Sequence, residues 1–305
     1  MKQHPIWLLL RLSRPFFLLG GFMQYSLGAG IAQYLGYEIE IEIYILGLLW
    51  VLAGQLSVHY LNEYYDSGPD RENPNRTPFT GGSGVLGEGK GLLPRYFAIM
   101  AAATMLTAVS VLTFGLMQAG RLGIEAGVVA ILIFLMAFFY SVPPLRLVAS
   151  GYGELTTSII LANLLPAFGL LLQTGEFNRL VAMSTFPMTP LIMAMLIAFE
   201  FPDYGTDSKF EKKTLLVRVG WQTGVRLHHL FIGGAYIILA GAMYFGLPIA
   251  LAWPPLLTLP LGLAQIWYLD RIAQGQKPNW TALTFMAVML FGLFSYITAF
   301  IFWTR

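Results

Sequence analysis

The sequence predicts an all-α, polytopic membrane protein on three observations. Of 305 residues, 56% are hydrophobic and only 11% are charged. The apolar residues fall in runs of about twenty, the length that crosses ~30 Å of hydrocarbon. Each run is bounded by charge, Pro or Gly. A soluble domain would carry about 25% charged residues on periodic polar faces. A membrane β-barrel would show alternating segments of about ten residues. Both alternatives fit poorly.

Nine spans follow in order, at roughly 15–36, 43–66, 95–119, 122–141, 151–174, 185–203, 226–247, 250–270 and 280–304. The first opens at Pro15 behind Arg14, and the second follows the acidic "YEIEIE". The third and fourth start beside Arg95 and Arg121, and the fifth lies between Gly151 and Gly175. The sixth ends on Asp203, the seventh opens at Arg226, the eighth closes before Arg271 and the ninth stops at Arg305. The start "MKQHPIWLLLRLSRP" has an apolar core of five residues before Arg11, too short for a cleavable signal peptide. Residues 1–305 therefore read as one transmembrane domain. The absence of cysteine excludes disulfides, a thiolate nucleophile and a thiolate metal site.

Nine spans put the termini on opposite sides of the bilayer, and Lys and Arg choose the orientation. With the N-terminus cytoplasmic, fifteen of the eighteen fall on the cytoplasmic side: Lys2, Arg11, Arg14, Arg71, Arg76, Lys90, Arg95, Arg146, Lys209, Lys212, Lys213, Arg218, Arg226, Arg271 and Lys277. Arg121, Arg179 and Arg305 fall outside. The expected setting is an integral protein of a prokaryotic plasma membrane with its C-terminus outside. The lipid bilayer is a partner, and no nucleic acid is expected.

Two cytoplasmic connections, 67–94 and 204–225, are long for a helical bundle, where long links tend to be functional. They begin alike. "NEYYDSGPD" at 62–70 lies over "FEFPDYGTD" at 199–207, pairing Glu63 with Glu200, Asp66 with Asp203 and Asp70 with Asp207. The simplest reading is an internal repeat, with two bundle halves each ending a span in D-x-x-x-D on one membrane face. Residues four and eight apart drift only about 40° and 80° around a helix, so Asn62, Asp66 and Asp70 fit one face. Gly68 and Pro69 are expected to fray the first helix after Asp66, and Pro202 and Gly205 to disturb the second in the same way.

Carboxylates at the end of a membrane helix are costly unless paired or metal-bound. Asn62, Asp66, Asp70, Asp203 and Asp207 offer hard oxygen donors, which suit Mg²⁺ rather than zinc or iron. Mg²⁺ on few carboxylates completes its shell with water and phosphate, so a diphosphate ligand follows. Arg71 and Arg76 behind the first array, and Lys209, Lys212, Lys213 and Arg218 behind the second, are placed to take up its charge. Either array alone reads equally well as solvated acids and topogenic bases; the matched pair does not.

At these residues the sequence resembles the UbiA superfamily of intramembrane prenyltransferases, which carries N-x-x-x-D-x-x-x-D after its second span and D-x-x-x-D after its sixth. Further matches are "RPFF" at 14–17, "YSVPPLRL" at 140–147, "GYGEL" at 151–155 and "KKTLLVRVG" at 212–220. The resemblance implies nine helices around a central cavity whose Asp motifs bind Mg²⁺ and a prenyl diphosphate donor. It further implies that an allylic cation forms there and is captured by an aromatic acceptor. "TPFTGGSGVLGEG" at 77–89 looks most like the branch that prenylates 1,4-dihydroxy-2-naphthoate on the way to menaquinone. Other acceptors in that fold are 4-hydroxybenzoate, homogentisate, a tetrapyrrole or a glycerol phosphate lipid. A transporter of cations or isoprenoid phosphates is the alternative from another class, and it fits less well because both arrays sit at one membrane edge. One departure stands out: Phe199 occupies the place where an Asn often begins the second motif, so the two metal sites are expected to be unequal.

Other candidates keep two readings each. Gly81-Gly82-Ser83-Gly84 is either a phosphate nest or a plain loop. Tyr140 and Arg146 either bind donor phosphate or an acceptor carboxylate, or belong to a Pro-stiffened turn. His59 contacts the acceptor or bridges helices, and His228 and His229 read as interfacial. Tyr64, Tyr65, Phe138 and Phe139 stabilise a carbocation or simply pack. Glu154 pairs with Arg146 or positions the acceptor.

Overall fold

The structure, a computed structural model, describes residues 5–88 and 92–305, with the side chains of residues 5 and 67–71 outside that description. Lys2, Lys90 and Gly89, and the side chains of Asp70 and Arg71, therefore lie outside the described residues.

Among the described residues the regular elements are helices, apart from one isolated bridge between Leu86 and Leu93. In order come α1 (Pro5–Ser13), α2 (Pro15–Tyr34), α3 (Ile41–Glu72), α4 (Arg95–Gln118), α5 (Ile124–Ser141), α6 (Gly153–Ile159) and α7 (Leu165–Thr174). They are followed by α8 (Arg179–Thr185), α9 (Met188–Lys209), α10 (Leu215–Val219), α11 (Trp221–Tyr244), α12 (Ile249–Ala252), α13 (Leu259–Ala273) and α14 (Trp280–Thr304). Among the described residues, eight helical stretches are long and apolar enough to cross a membrane, or nine if α1 and α2, bent by 47°, count as one span. Their outward sides carry residues such as Phe114, Ile131, Ile237, Leu263 and Phe300, all exposed. A helix that is apolar on its exposed side faces lipid rather than water.

Several spans are broken at proline. A π-helical turn, Ile160–Leu164, joins α6 to α7 just before Pro166, where the missing N–H makes a wider turn cheap. Pro187 separates α8 from α9, and Pro254 and Pro255 lie in a 3₁₀ turn between α12 and α13. The sixth span runs from 179 to 209 rather than 185–203. Its start is set by Asn178, whose side chain caps α8 by accepting from the Leu180 N–H at 2.9 Å.

The expected fraying did not occur. α3 continues through Pro69 to Glu72, and α9 continues through Pro202 to Lys209. A proline inside a helix removes one hydrogen bond, and packing against neighbouring helices tolerates that loss in membrane proteins. Asn62, Asp66 and Asp70 thus share one helix, as do Asp203 and Asp207.

Two apolar groups flank the α2–α7 pair. Leu27 and Ile31 of α2 and Leu170 of α7 pack with α9, α11 and α14, whereas Tyr25 of α2 and Phe168 of α7 pack with α3, α4 and α5. The two helices cross in close contact. A Cβ on Gly28 would lie 1.9 Å from the Pro166 carbonyl oxygen, and one on Gly169 would lie 2.3 Å from that of Tyr25. Small residues at such a crossing let membrane helices approach closely.

Candidate functional site

The two arrays face one another at the same end of the bundle. α3 delivers Asn62 and Asp66, α9 delivers Asp203 and Asp207, and the links behind them fold back over the gap. Asp66 is buried and accepts from Lys212 Nζ at 3.0 Å and from Arg146 Nη2 at 3.2 Å. The Lys212 ammonium also stands 4.0 Å from Asp207 Oδ1, so it lies between the two helices. Asp203 accepts from Asn73 Nδ2 at 2.6 Å, and Thr80 and the Gly81 N–H lie against the same carboxylate.

These groups close one end of a cavity of about 310 Å³. Asn62, Asp66, Tyr140, Glu154, Glu200, Asp203, Asp207 and Lys212 line its polar end, and Leu106, Val109, Ile133, Phe134 and Phe138 line an apolar end. Phe134 at this end is exposed.

A buried carboxylate needs a positive or hydrogen-bonding partner. Lys212 supplies it here between Asp66 and Asp207, at a place where a divalent cation would serve as well. Among the described residues no three acids or imidazoles stand at metal-ligand spacing, with the Asp70 side chain outside that description. The donor chemistry of Asn62, Asp66, Asp203 and Asp207 fits Mg²⁺, being all hard oxygen from two facing helices.

The other predicted cations separate into two groups. Arg146 joins the site: it adopts a left-handed backbone (φ 37°), pairs with Asp66 and lies over the Tyr65 ring at 5.7 Å. Tyr140 lines the cavity beside Thr157. Arg76 instead folds onto its own loop, donating to the Gly81 carbonyl through Nε at 2.7 Å. Lys209 pairs with Glu72 and is exposed, and Lys213 is exposed with its backbone N–H on the Ala149 carbonyl at 3.3 Å. The structure does not bring Arg76, Lys209 and Lys213 to the cavity.

The open alternatives also resolve. In the Gly81–Gly84 segment, the Ser83 N–H donates to Glu63 at 2.7 Å and the Gly81 N–H faces Asp203, so these donors are committed to carboxylates rather than left for phosphate. Glu154 does not pair with Arg146; it accepts from the Leu215 N–H at 3.3 Å and faces Glu200. His228 is not interfacial. It is fully buried and bonded to Gln265 at 3.0 Å, while His229 lies 3.8 Å from Asp270.

The residues that hold the links down had no such role in the sequence reading. Asn73 reaches from the end of α3 across to Asp203. Glu63 pairs with Arg14 at 2.8 Å and receives both the N–H and the hydroxyl of Ser83. Glu200 accepts from the Leu216 N–H at 2.7 Å. The signal for the two glutamates was their matched place in the arrays; Asn73 had none beyond its position after Glu72.

A profile of the UbiA prenyltransferase family matches residues 22–294. The chain belongs to that family. As a UbiA-family protein it is a membrane-embedded prenyltransferase. It is 22% identical over 245 residues to the 1,4-dihydroxy-2-naphthoate octaprenyltransferase of Bacillus subtilis (strain 168), covering 80% of this chain and 76% of the relative. Solved structures share the fold. A UbiA homolog from Archaeoglobus fulgidus bound to GPP and Mg²⁺ superposes with a TM-score of 0.61 at 17% identity, covering 95% of this chain and 98% of that one. A digeranylgeranylglyceryl phosphate synthase superposes with a TM-score of 0.60 at 15% identity, covering 98% and 97%.

Proposed function

We propose that this UbiA-family protein transfers a prenyl group from a prenyl diphosphate to 1,4-dihydroxy-2-naphthoate in a Mg²⁺-dependent reaction. The observation that carries the reading is the polarity of one cavity. Its carboxylate and lysine end suits a metal–diphosphate group, and its apolar end suits an isoprenoid chain. The acceptor is supported by the Bacillus subtilis relative and by the 77–89 segment.

In this reading Asn62, Asp66, Asp70, Asp203 and Asp207 hold Mg²⁺, which when bound neutralises diphosphate charge. Lys212 and Arg146 add cationic hydrogen-bond donors on the same side, where negative charge grows as the C–O bond breaks. Both cations are drawn away from Asp66 toward the leaving group. The apolar walls exclude water, so the allylic cation meets the acceptor carbon before it is hydrolysed, and the ring regains aromaticity as that carbon loses the group it carried, a proton or CO₂, while diphosphate departs. The two arrays act as halves of a repeat around the cavity, both on the cytoplasmic side, as the Lys and Arg bias indicates.

The test is prenyl transfer by the purified protein with labelled geranylgeranyl or farnesyl diphosphate, with and without Mg²⁺. 1,4-Dihydroxy-2-naphthoate, 4-hydroxybenzoate and a glycerol phosphate lipid are offered side by side. Metal-dependent product with the naphthoate is the expected result. Product only with the lipid would assign the protein to the chemistry of the glyceryl phosphate synthase, and no donor binding at all would end the transferase reading.

A further inference from the structure

We propose that the cavity holds a distinct aromatic subsite, in which Phe17, Phe79 and Phe199 form a ring wall against a planar hydroxyaromatic acceptor and His59 accepts a hydrogen bond from its hydroxyl. The inference rests on the aromatic-acceptor reading above and states where that acceptor sits and what selects it.

The three rings come from separate parts of the chain. Phe17 lies on α2, Phe79 on the link behind α3 and Phe199 on α9, and all line the cavity. Phe79 and Phe199 are parallel, 6.0 Å between centroids at 6°, and Phe17 stands edge-on to both at 6.3 and 6.4 Å. Offset-parallel and edge-on contacts are the arrangements aromatic rings favour, so a further ring extends this wall with no change of pattern. The other apolar end mixes Leu106, Val109 and Ile133 with the stacked rings of Phe134 and Phe138, whereas the one imidazole among the lining residues, His59, stands with the three-ring wall. Arg14 also lines the cavity here, 5.9 Å over the Phe17 ring, with its charge met by Glu63 at 2.8 Å.

Helix geometry places the wall beside the charged end. Phe199 precedes Asp203 by one turn of α9, about 6 Å. His59 precedes Asp66 by seven residues of α3, about 10 Å along the axis and within about 20° of the same face. A molecule lying on the rings is therefore next to a diphosphate held by the carboxylates, on the membrane side of it.

His59 gives the subsite its polar contact. Its Nδ1 lies 3.1 Å from the Ser13 carbonyl oxygen, which only accepts, so the proton sits on Nδ1 and Nε2 is left as an acceptor. The imidazole is held edge-on to Phe17, with centroids 6.0 Å apart at 77°. An aromatic wall with one fixed acceptor recognises a phenol or naphthol rather than an aliphatic alcohol or a bare ring. It also explains Phe199: the position that would carry an amide carries a ring that completes the wall.

The test uses the purified protein with geranylgeranyl diphosphate, Mg²⁺ and 1,4-dihydroxy-2-naphthoate, with 1-naphthol and 1-methoxynaphthalene as competing probes. Wild type is expected to bind 1-naphthol about tenfold better than its methyl ether, and His59→Phe to erase that preference. Phe199→Leu and Phe199→Asn are expected to raise the acceptor KM by about tenfold while Mg²⁺-dependent donor binding stays within about twofold. Melting temperatures of all three variants report folding, and Phe199→Leu keeps an apolar side chain if Phe199→Asn unfolds. Unchanged acceptor KM in the folded variants, or equal losses of donor and acceptor binding, would overturn the subsite and leave the transferase reading standing. Tighter Mg²⁺ binding by Phe199→Asn with unchanged acceptor KM would overturn it too, by making position 199 part of the metal shell. Wild-type transfer to a glycerol phosphate lipid and to no aromatic compound would overturn both.

Discussion

Glu63 and Glu200 hold matching places in the two arrays and do the same work; Asn62 and Phe199 hold matching places one residue earlier and do different work. Each glutamate, three residues before an aspartate, turns back and accepts a backbone N–H from the link that follows, Ser83 in one case and Leu216 in the other. Each pins a loop over the cavity. Asn62, by contrast, accepts from Ser141 Oγ at 3.4 Å and lines the polar end, whereas Phe199 stacks on Phe79. The arrays are thus alike where they shape the chain and unlike where they face the cavity. The loops differ as well. The first is tied down by glycine geometry, with Gly81, Gly82 and Gly84 at positive φ, and the second brings Lys212 between the helices.

The largest expected effect is common to both arrays. Asp66→Ala or Asp203→Ala lowers transfer by about a thousandfold or more while the protein remains inserted and folded, measured as turnover beside a melting curve. Turnover within tenfold of wild type for one of them would show that only the other array serves the diphosphate. Removing Mg²⁺ with EDTA is expected to abolish transfer in the same assay and to be reversed by adding the metal back.

Next come the glutamates, where the comparison becomes one of stability. Glu63→Ala strands the Arg14 guanidinium and the two Ser83 donors, at a cost of about 2–3 kcal/mol. Glu200→Ala leaves one backbone donor unpaired beside Glu154, at about 1–2 kcal/mol. Equal losses in chemical denaturation would remove the asymmetry between the two pins. The lysines give the finest contrast. Lys212→Ala is expected to lower kcat about a hundredfold, since it removes a cationic donor from the charged end. Lys213→Ala, one residue on but exposed, is expected to stay within about threefold. A large effect of Lys213→Ala on donor KM would mean that the link rearranges when donor binds.

The crossing of α2 and α7 offers a control away from the site. Gly28→Leu forces a side chain against the Pro166 carbonyl and is expected to lower the yield of folded protein without changing the KM of what remains.

Much of this is legible in the sequence. The apolar runs and the Lys and Arg bias describe a helical membrane protein, because the bilayer demands long apolar helices and sorts charge by side. The D-x-x-x-D spacing marked the charged end, because four residues return a side chain to nearly the same helix face. Helix breaks were misjudged at Pro69 and Pro202, since a local rule for proline does not include the neighbouring helices that support the backbone. The role of each cation was equally out of reach. Lys209, Lys212 and Lys213 look alike in sequence, yet only Lys212 is directed between Asp66 and Asp207.

The sequence by itself determined what is periodic or compositional: the number of spans to within one, membrane insertion, and two equally spaced carboxylate arrays. Only the tertiary structure decided which charges meet, that Glu63 and Glu200 hold loops rather than ligands, and that Phe17, Phe79 and Phe199 stand together. Periodicity is a property of one helix and can be read along it. Pairing is a property of distance between helices, and a buried charge takes whichever partner the fold brings within about 4 Å.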